Sequence, residues 1–192
     1  MAGKKQFDVD GALDTVMTLF WERGYAETSL DLIVTATGLG KGTLYGTFGA
    51  KPELFRRALD RYADTFGHQY EAALGGHSDP AAAIQAFFDV VLARIADPDL
   101  PGGCLIALSA MAAPTLDETS RMHVRALLAR QRERVQAALE GVMSNPGVLA
   151  LSVVGANQAL AVMDRAGASA ADLASIVAVT VDGVRATKPT DH

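Results

Sequence analysis

Cysteine is nearly absent from this chain: Cys104 is the only one in 192 residues. A single thiol cannot close an intrachain disulfide, so no cross-linked framework holds the fold. Positive charge is also in short supply. There are 17 Lys and Arg against 22 Asp and Glu, a formal charge of -5, whereas a non-specific nucleic-acid binder is normally basic. Any contact with nucleic acid must therefore be local. No stretch reads as ~20 consecutive apolar residues of the kind that crosses a bilayer. The opening MAGKKQFD has no apolar run after its lysines, so no signal peptide is expected. A cytoplasmic chain with no membrane partner is the expectation.

Catalytic signatures are missing as well. His68, His77, His123 and His192 form no HExxH or other metal-spaced cluster. There is no GxSxG elbow, phosphate loop or dinucleotide fingerprint after a strand. The reading is therefore no enzyme, no cofactor and no metal. Strand-type alternation and internal repeats are lacking too. What is present is 49% hydrophobic and 20% charged residues, a composition that builds a packed core.

The charge is unevenly placed. Through Arg57, seven basic residues are matched by seven acidic ones; the remainder carries ten basic against fifteen acidic and so holds the whole deficit. An acidic body is repelled by phosphate, which leaves the N-terminal head to face DNA.

Helical periodicity runs through the chain. Leu13, Val16, Met17 and Phe20 share one face of a helix from about Asp8 to Arg23, and Gly24 stands where a C-terminal cap glycine belongs. Thr28 or Ser29 caps a second helix that turns Leu30, Ile33 and Val34 inward. Gly38 and Gly40 form a turn, and a third short helix covers about Lys41 to Thr47 with Leu44 and Phe48 as anchors. Further helices are predicted at about Pro52–Leu74, Pro80–Ala96, Cys104–Ala113, Asp117–Met143, Val148–Arg165 and Ser169–Arg185. The fold class is all-α, about nine helices, with a three-helix head (1–51) on a larger helical body (52–192).

Two short helices about a glycine turn, with apolar anchors and a second helix bearing small or hydrogen-bonding exposed groups, form a helix-turn-helix DNA reader. The exposed residues of that second helix are Lys41, Gly42, Thr43, Tyr45, Gly46 and Thr47. Thr28 and Ser29 lie at a helix N-terminus, where backbone amides and hydroxyls accept a phosphate.

The stretch LFWERGYAETSLDLIVTATGLGKGTLYGTFGAKPELF resembles the N-terminal signature of TetR-like transcriptional repressors. The match rests on Leu19-Phe20, Gly24-Tyr25, Thr28-Ser29, Ile33, Gly38, Lys41 to Tyr45, Phe48, Lys51 and Leu54-Phe55. Thr35-Ala36-Thr37 and Gly46 depart from the common pattern. The resemblance implies an all-helical homodimer on a palindromic double-stranded DNA operator, with a small-molecule effector of unknown identity in the body. It implies phosphate contacts for Tyr45 and Lys51, lesser contacts for Thr28 and Thr47, and base contacts for Lys41 and Thr43.

Two regions of the body carry further expectations. The last two helices are apolar or small nearly all round, which suits a four-helix dimer interface from two chains. Its candidates are Leu149, Val153, Ala156, Leu160, Met163, Leu173, Ile176, Val177 and Val184; the alternative is plain core. Effector-pocket candidates are Phe66, Tyr70, Phe87, Phe88, Val91, Cys104, Leu108, Met111, Met122, His123, Leu127 and Gln131. Gln131 interrupts an apolar face, and its amide meets either a ligand or a neighbouring helix. The arginines at 121, 125, 130, 132 and 134 read as a solvated face.

Cys104 follows Pro101-Gly102-Gly103 and opens a helix, where a thiolate is stabilised. Some TetR-like regulators carry a similar Gly-Cys step and respond to electrophiles or oxidants. Against a cysteine-lysine link, no lysine occurs between Lys51 and Lys188. Three functions therefore stand beside one another: a ligand-released repressor, a redox- or electrophile-responsive repressor acting through Cys104, and a helical interaction protein without DNA binding.

Overall fold

The computed structural model describes residues 8–187; Lys4, Lys5, Lys188 and His192 lie outside them. Nine α-helices and one short 3-10 turn (Ala113–Thr115), with no strand, make up the described regular structure. In chain order they are α1 (Val9–Glu27), α2 (Leu30–Thr37), α3 (Lys41–Phe48), α4 (Lys51–Gly75), α5 (Pro80–Ala96), α6 (Leu105–Met111), α7 (Glu118–Leu139), α8 (Pro146–Arg165) and α9 (Ala170–Ala186).

Local chemistry sets the helix ends. Asp8, Ser29, Asp79, Asp117 and Ser169 each accept a backbone N–H in the first turn that follows. Ser169 and Asp172 form a reciprocal capping box. Gly24, with φ 77, bends α1 one turn before its end, so the glycine marks a kink inside the element. Gly38, with φ 67, stops α2, and its N–H returns to the Val34 carbonyl.

Helix α4 runs from head to body and is the spine of the molecule. Along it, Phe55 meets Phe20 and Tyr25, then Tyr62 and Phe66 enclose Trp21, then Tyr70 meets Phe87 of α5. Arg61 of α4 grips Asp14 of α1 with two hydrogen bonds, at 2.7 and 2.9 Å. At the other side His123 of α7 reaches Asp60 at 2.8 Å. The core is continuous from Val16 and Ile33 in the head to Val181 in α9. The first turns of α4 therefore serve both units.

Helix α8 corrects one expectation. It is long and apolar enough by length and composition to cross a membrane, contrary to the reading that no such segment exists. One face is nonetheless packed within the bundle, including Asn157 and Val153.

Asp117 allows a test of the capping chemistry. Its carboxylate takes the Ser120 N–H at 3.0 Å and the Ser120 hydroxyl at 2.7 Å. The Ser120 hydroxyl and amide hold its pKa below the ordinary carboxylate value. A depressed folded value means the stabilisation is present above about pH 4, the unfolded value, and fades as pH falls through the folded one. Asp117→Ala is expected to cost about 1 kcal/mol at pH 7 in urea unfolding. Asp117→Asn should keep most of the cap and flatten the acid limb of the stability curve.

Candidate nucleic-acid interface

The head presents one uncovered helix face. In α3, Leu44 and Phe48 are buried, whereas Lys41, Gly42, Thr43, Tyr45 and Gly46 are exposed and Thr47 is half-buried. Burial of the two anchors fixes which side faces out, since residues three and four apart share a face. Tyr45, 46% exposed, is the only exposed aromatic among the described residues.

Gly42 and Gly46 give the face its character. A Cβ built at either position meets nothing within 4 Å, so internal packing does not call for glycine. Each glycine destabilises a helix interior by about 0.5–1 kcal/mol relative to alanine. A helix that carries two without a packing reason exposes bare backbone, as close approach to a bulky partner requires.

Charge on this face is modest. Lys41 Nζ lies 2.7 Å from Asp31, both well exposed; the hydrogen bond and charge of Asp31 raise the lysine pKa. So exposed a pair is held weakly and yields to a competing anion. Lys51 Nζ sits 4.4 Å over the Tyr25 ring, which fixes the position of its ammonium at the α4 N-terminus. Burial lowers the Lys51 pKa, against the opposing charge of Glu27. Ser29 is the α2 cap, its hydroxyl accepting the Leu32 N–H at 3.1 Å.

Thr28 is a correction. It is fully buried, and its hydroxyl donates to the Gly24 carbonyl at 2.7 Å and lies 3.3 Å from that of Leu19. The side chain locks the kinked end of α1 and is not available to phosphate. The sequence signal, a hydroxyl beside a helix start, is the same for a cap and for a lock.

In the body, Phe66, Tyr70, Leu127 and Gln131 come together around a small cavity of about 10 Å³ between α4, α6 and α7. Phe87, Phe88 and Val91 do not line it; they are buried core. Met111 and Met122 are exposed, which removes them from any interior pocket. Leu108 is half-buried, and His123 is spent on Asp60. Gln131 accepts a hydrogen bond from Gln158 of α8 at 2.9 Å, so the neighbouring-helix alternative holds for its amide oxygen. Cys104 is buried at the start of α6, where no reagent in bulk solvent reaches it directly.

The terminal helices are also reassigned in part. Val153, Leu160, Leu173, Val177 and Val184 are buried within the single chain and belong to the core. Leu149, Ala156 and Ile176 are half-buried and Met163 is exposed. The uncovered side of α8 is instead Val148, Leu151, Gly155, Ala159, Val162 and Met163, with Val179 on α9. Helices apolar all round carry no periodicity to separate these two faces.

Sequence reasoning missed Arg94. It interrupts the apolar stripe of α5 between Val91 and Ile95, yet it is buried. It missed Arg165 too, which donates to the carbonyls of Gly102, Trp21 and Glu22. With Trp21 Nε1, which donates to Gly102 at 3.1 Å, these bonds tie the end of α1 to the loop before α6.

Residues 12–58 match the family described as "Bacterial regulatory proteins, tetR family". The HTH-type transcriptional repressor ComR of Escherichia coli (strain K12) is 42% identical over 103 residues, 53% of this chain and 49% of that protein. The chain thus spans about half the length of this curated relative. A cysteine mutant of the TetR family regulator CifR, solved with 26bp double-strand operator DNA, superposes with TM-score 0.80 at 26% identity, covering 95% of this chain and 98% of that one. A TetR transcriptional regulator from Chloroflexus aurantiacus gives TM-score 0.83 at 25% identity over 95% and 96%.

Two variants separate the roles found here. Thr28→Val removes the buried hydroxyl and leaves the Gly24 carbonyl without its donor, at an expected cost of about 1–3 kcal/mol. Duplex affinity per folded molecule should stay unchanged. Gly46→Ala should do the reverse, raising stability by about 0.5–1 kcal/mol while weakening duplex binding. Thermal unfolding and fluorescence anisotropy on the same samples decide both.

Proposed function

We propose that this chain, whose residues 12–58 match the tetR family of bacterial regulatory proteins, is a homodimeric repressor that reads a palindromic operator with α3 and leaves it when a small effector binds the body. The observation that carries this reading is the α3 face. Its two glycines without packing neighbours and its exposed Tyr45 are explained by a duplex lying against them.

The roles divide by chemistry. Tyr45, Lys51, Ser29 and Thr47 supply phosphate contacts, which position the head. Lys41 and Thr43, at the start of α3, reach base edges, and Lys41 exchanges Asp31 for its target as it does so. The head is neutral, so few phosphates are neutralised and the salt dependence of binding is shallow. Lys51→Met should reduce the log–log salt slope by about one.

The second copy covers the exposed side of α8 and α9. Two-fold pairing there sets two heads about one helical turn of DNA apart, ~34 Å, and makes the operator palindromic. Leu151→Glu puts a charge into that face. Sedimentation should then report a monomer, with operator affinity falling at least a hundredfold.

Release acts through α4, which runs from head into body, as a shift between two head spacings. A coupling of about 1–3 kcal/mol is sufficient for a 5- to 150-fold change in affinity. Burial of Cys104 favours a ligand over a thiol switch, so Cys104→Ser should retain the response; its loss would establish the thiol reading.

The deciding experiment is selection from a random duplex pool, with Tyr45→Ala as control. A palindrome bound by the wild type and lost in the variant is the expected result. No enrichment at low salt overturns the DNA-reader reading and leaves a helical interaction protein.

A further inference from the structure

Arg94 is the one charged side chain that is fully buried among the described residues, at 5% exposure. Its partners are all neutral. Nε donates to the Tyr70 hydroxyl at 3.2 Å, and Nη1 donates to the Gly103 carbonyl. The guanidinium lies 5.6 Å from the Trp21 ring and 5.7 Å from the Phe66 ring. Its strongest electrostatic neighbours are Tyr62, Tyr70 and Cys104, and the nearby Asp164 carboxylate is bonded to the Gly103 N–H and not to Arg94. A buried cation without an anion is a costly arrangement, which an incoming anion relieves.

A second group points the same way. The Tyr62 hydroxyl is buried with no nitrogen or oxygen partner; the polar group beside it is the Cys104 thiol, a weak acceptor that a carboxylate oxygen outcompetes. Burial raises the pKa of Tyr62 and of Tyr70, so both remain protonated at neutral pH, Tyr62 with a proton to donate. Tyr62 and Tyr70 line the cavity of about 10 Å³, which has room for roughly one water; Arg94 stands behind its lining, against Tyr70 and Phe66. That cavity shares Ala63, Arg130 and Arg134 with an open groove of about 540 Å³ between α4 and α7. Arg134 is held by Glu71 at 2.8 Å and Arg130 by Asp64 at 3.2 Å. The exposed Arg130–Asp64 pair opens at little cost, whereas Arg134 is largely buried and moves only as the ligand enters; displacement of both joins groove to cavity.

We propose that this cluster is the floor of the effector site and that its ligand is a small carboxylate, which takes charge-assisted hydrogen bonds from Arg94 and the Tyr62 hydroxyl and lays its hydrocarbon part against Phe66 and Ile106. The inference rests on the effector-released reading above and adds the ligand class. It also supplies a route to the head. Gly103 accepts from Arg94 and its neighbour Gly102 accepts from Trp21 of α1. A ligand that draws Arg94 away from Gly103 pulls on the loop that ties down the end of α1.

The chain reports on this site itself, because Trp21 is its only tryptophan. Sodium benzoate and sodium acetate are titrated into the full-length protein without DNA, beside benzamide and sodium chloride at matched ionic strength. Benzoate should give a saturable change in Trp21 emission and a rise in Tm; benzamide and chloride should give neither. Arg94→Met removes the buried charge together with the donor to the Gly103 carbonyl, so it should lose the response, with a Tm no higher than that of the wild type. Tyr62→Phe should weaken the response about tenfold, as expected for one hydrogen bond to a charged group, and decides the matter if Arg94→Met fails to fold. No saturable response to either carboxylate, an equal response to benzamide or chloride, or an unaltered response in the variants overturns the proposal. Since no DNA is present, a failed operator selection leaves this result untouched. A protein that binds an operator yet ignores both carboxylates overturns this inference alone.

Discussion

The stacking of aromatic rings along α4 is the constraint on which the rest depends. With aromatics at only 6% of the chain, most of the rings are committed to three clusters on this one helix. The first holds Phe20 and Tyr25 to Phe55, the second holds Trp21 between Tyr62 and Phe66, and the third joins Tyr70 to Phe87 and Phe88. Ring pairs in edge or offset contact are stiff and direction-dependent. They make α4 a strut that cannot tilt at one end without moving the other. Head and body are chemically different units, yet their core is one.

The polar bonds that survive inside this apolar frame are placed at its joints. Arg61 with Asp14 fixes α1 on α4, and Arg165 with the Gly102 and Trp21 carbonyls fixes α1 on the body. The Asp164 carboxylate takes the Gly103 N–H at 2.7 Å. The loop before α6 is thus held from three sides by side chains of α1, α5 and α8. Loops anchored in this manner transmit displacement where a free loop would absorb it.

Much of this was legible in the sequence, and the boundary of what was legible is physical. Helix α5 was placed from Pro80 to Ala96 by its apolar spacing, and the Asp79 cap and Pro80 at its first turn agree with that start. The α3 reading face followed from Leu44 and Phe48, since two anchors four residues apart fix the opposite side. The terminal helices failed the same test. Val153 and Leu151 are equally apolar, and only the neighbouring helices decide that one is core and the other uncovered. Thr28 and Arg94 failed for a further reason. A hydroxyl beside a helix start reads as a cap, and a lone arginine on a helix reads as solvated, whereas the Thr28 hydroxyl is turned back onto the Gly24 and Leu19 carbonyls across the α1 kink, and Arg94 is buried against Tyr70, Trp21 and Phe66.

The open glycines of α3 bear on how such a reader diversifies. Space beyond Gly42 and Gly46 is free, so a longer side chain at either position projects outward without disturbing Leu44, Phe48 or the aromatic strut. A change there would strengthen the helix and alter the surface that meets its partner in one step. New preferences can therefore arise on this scaffold by filling vacant sites, without first weakening the fold that carries them.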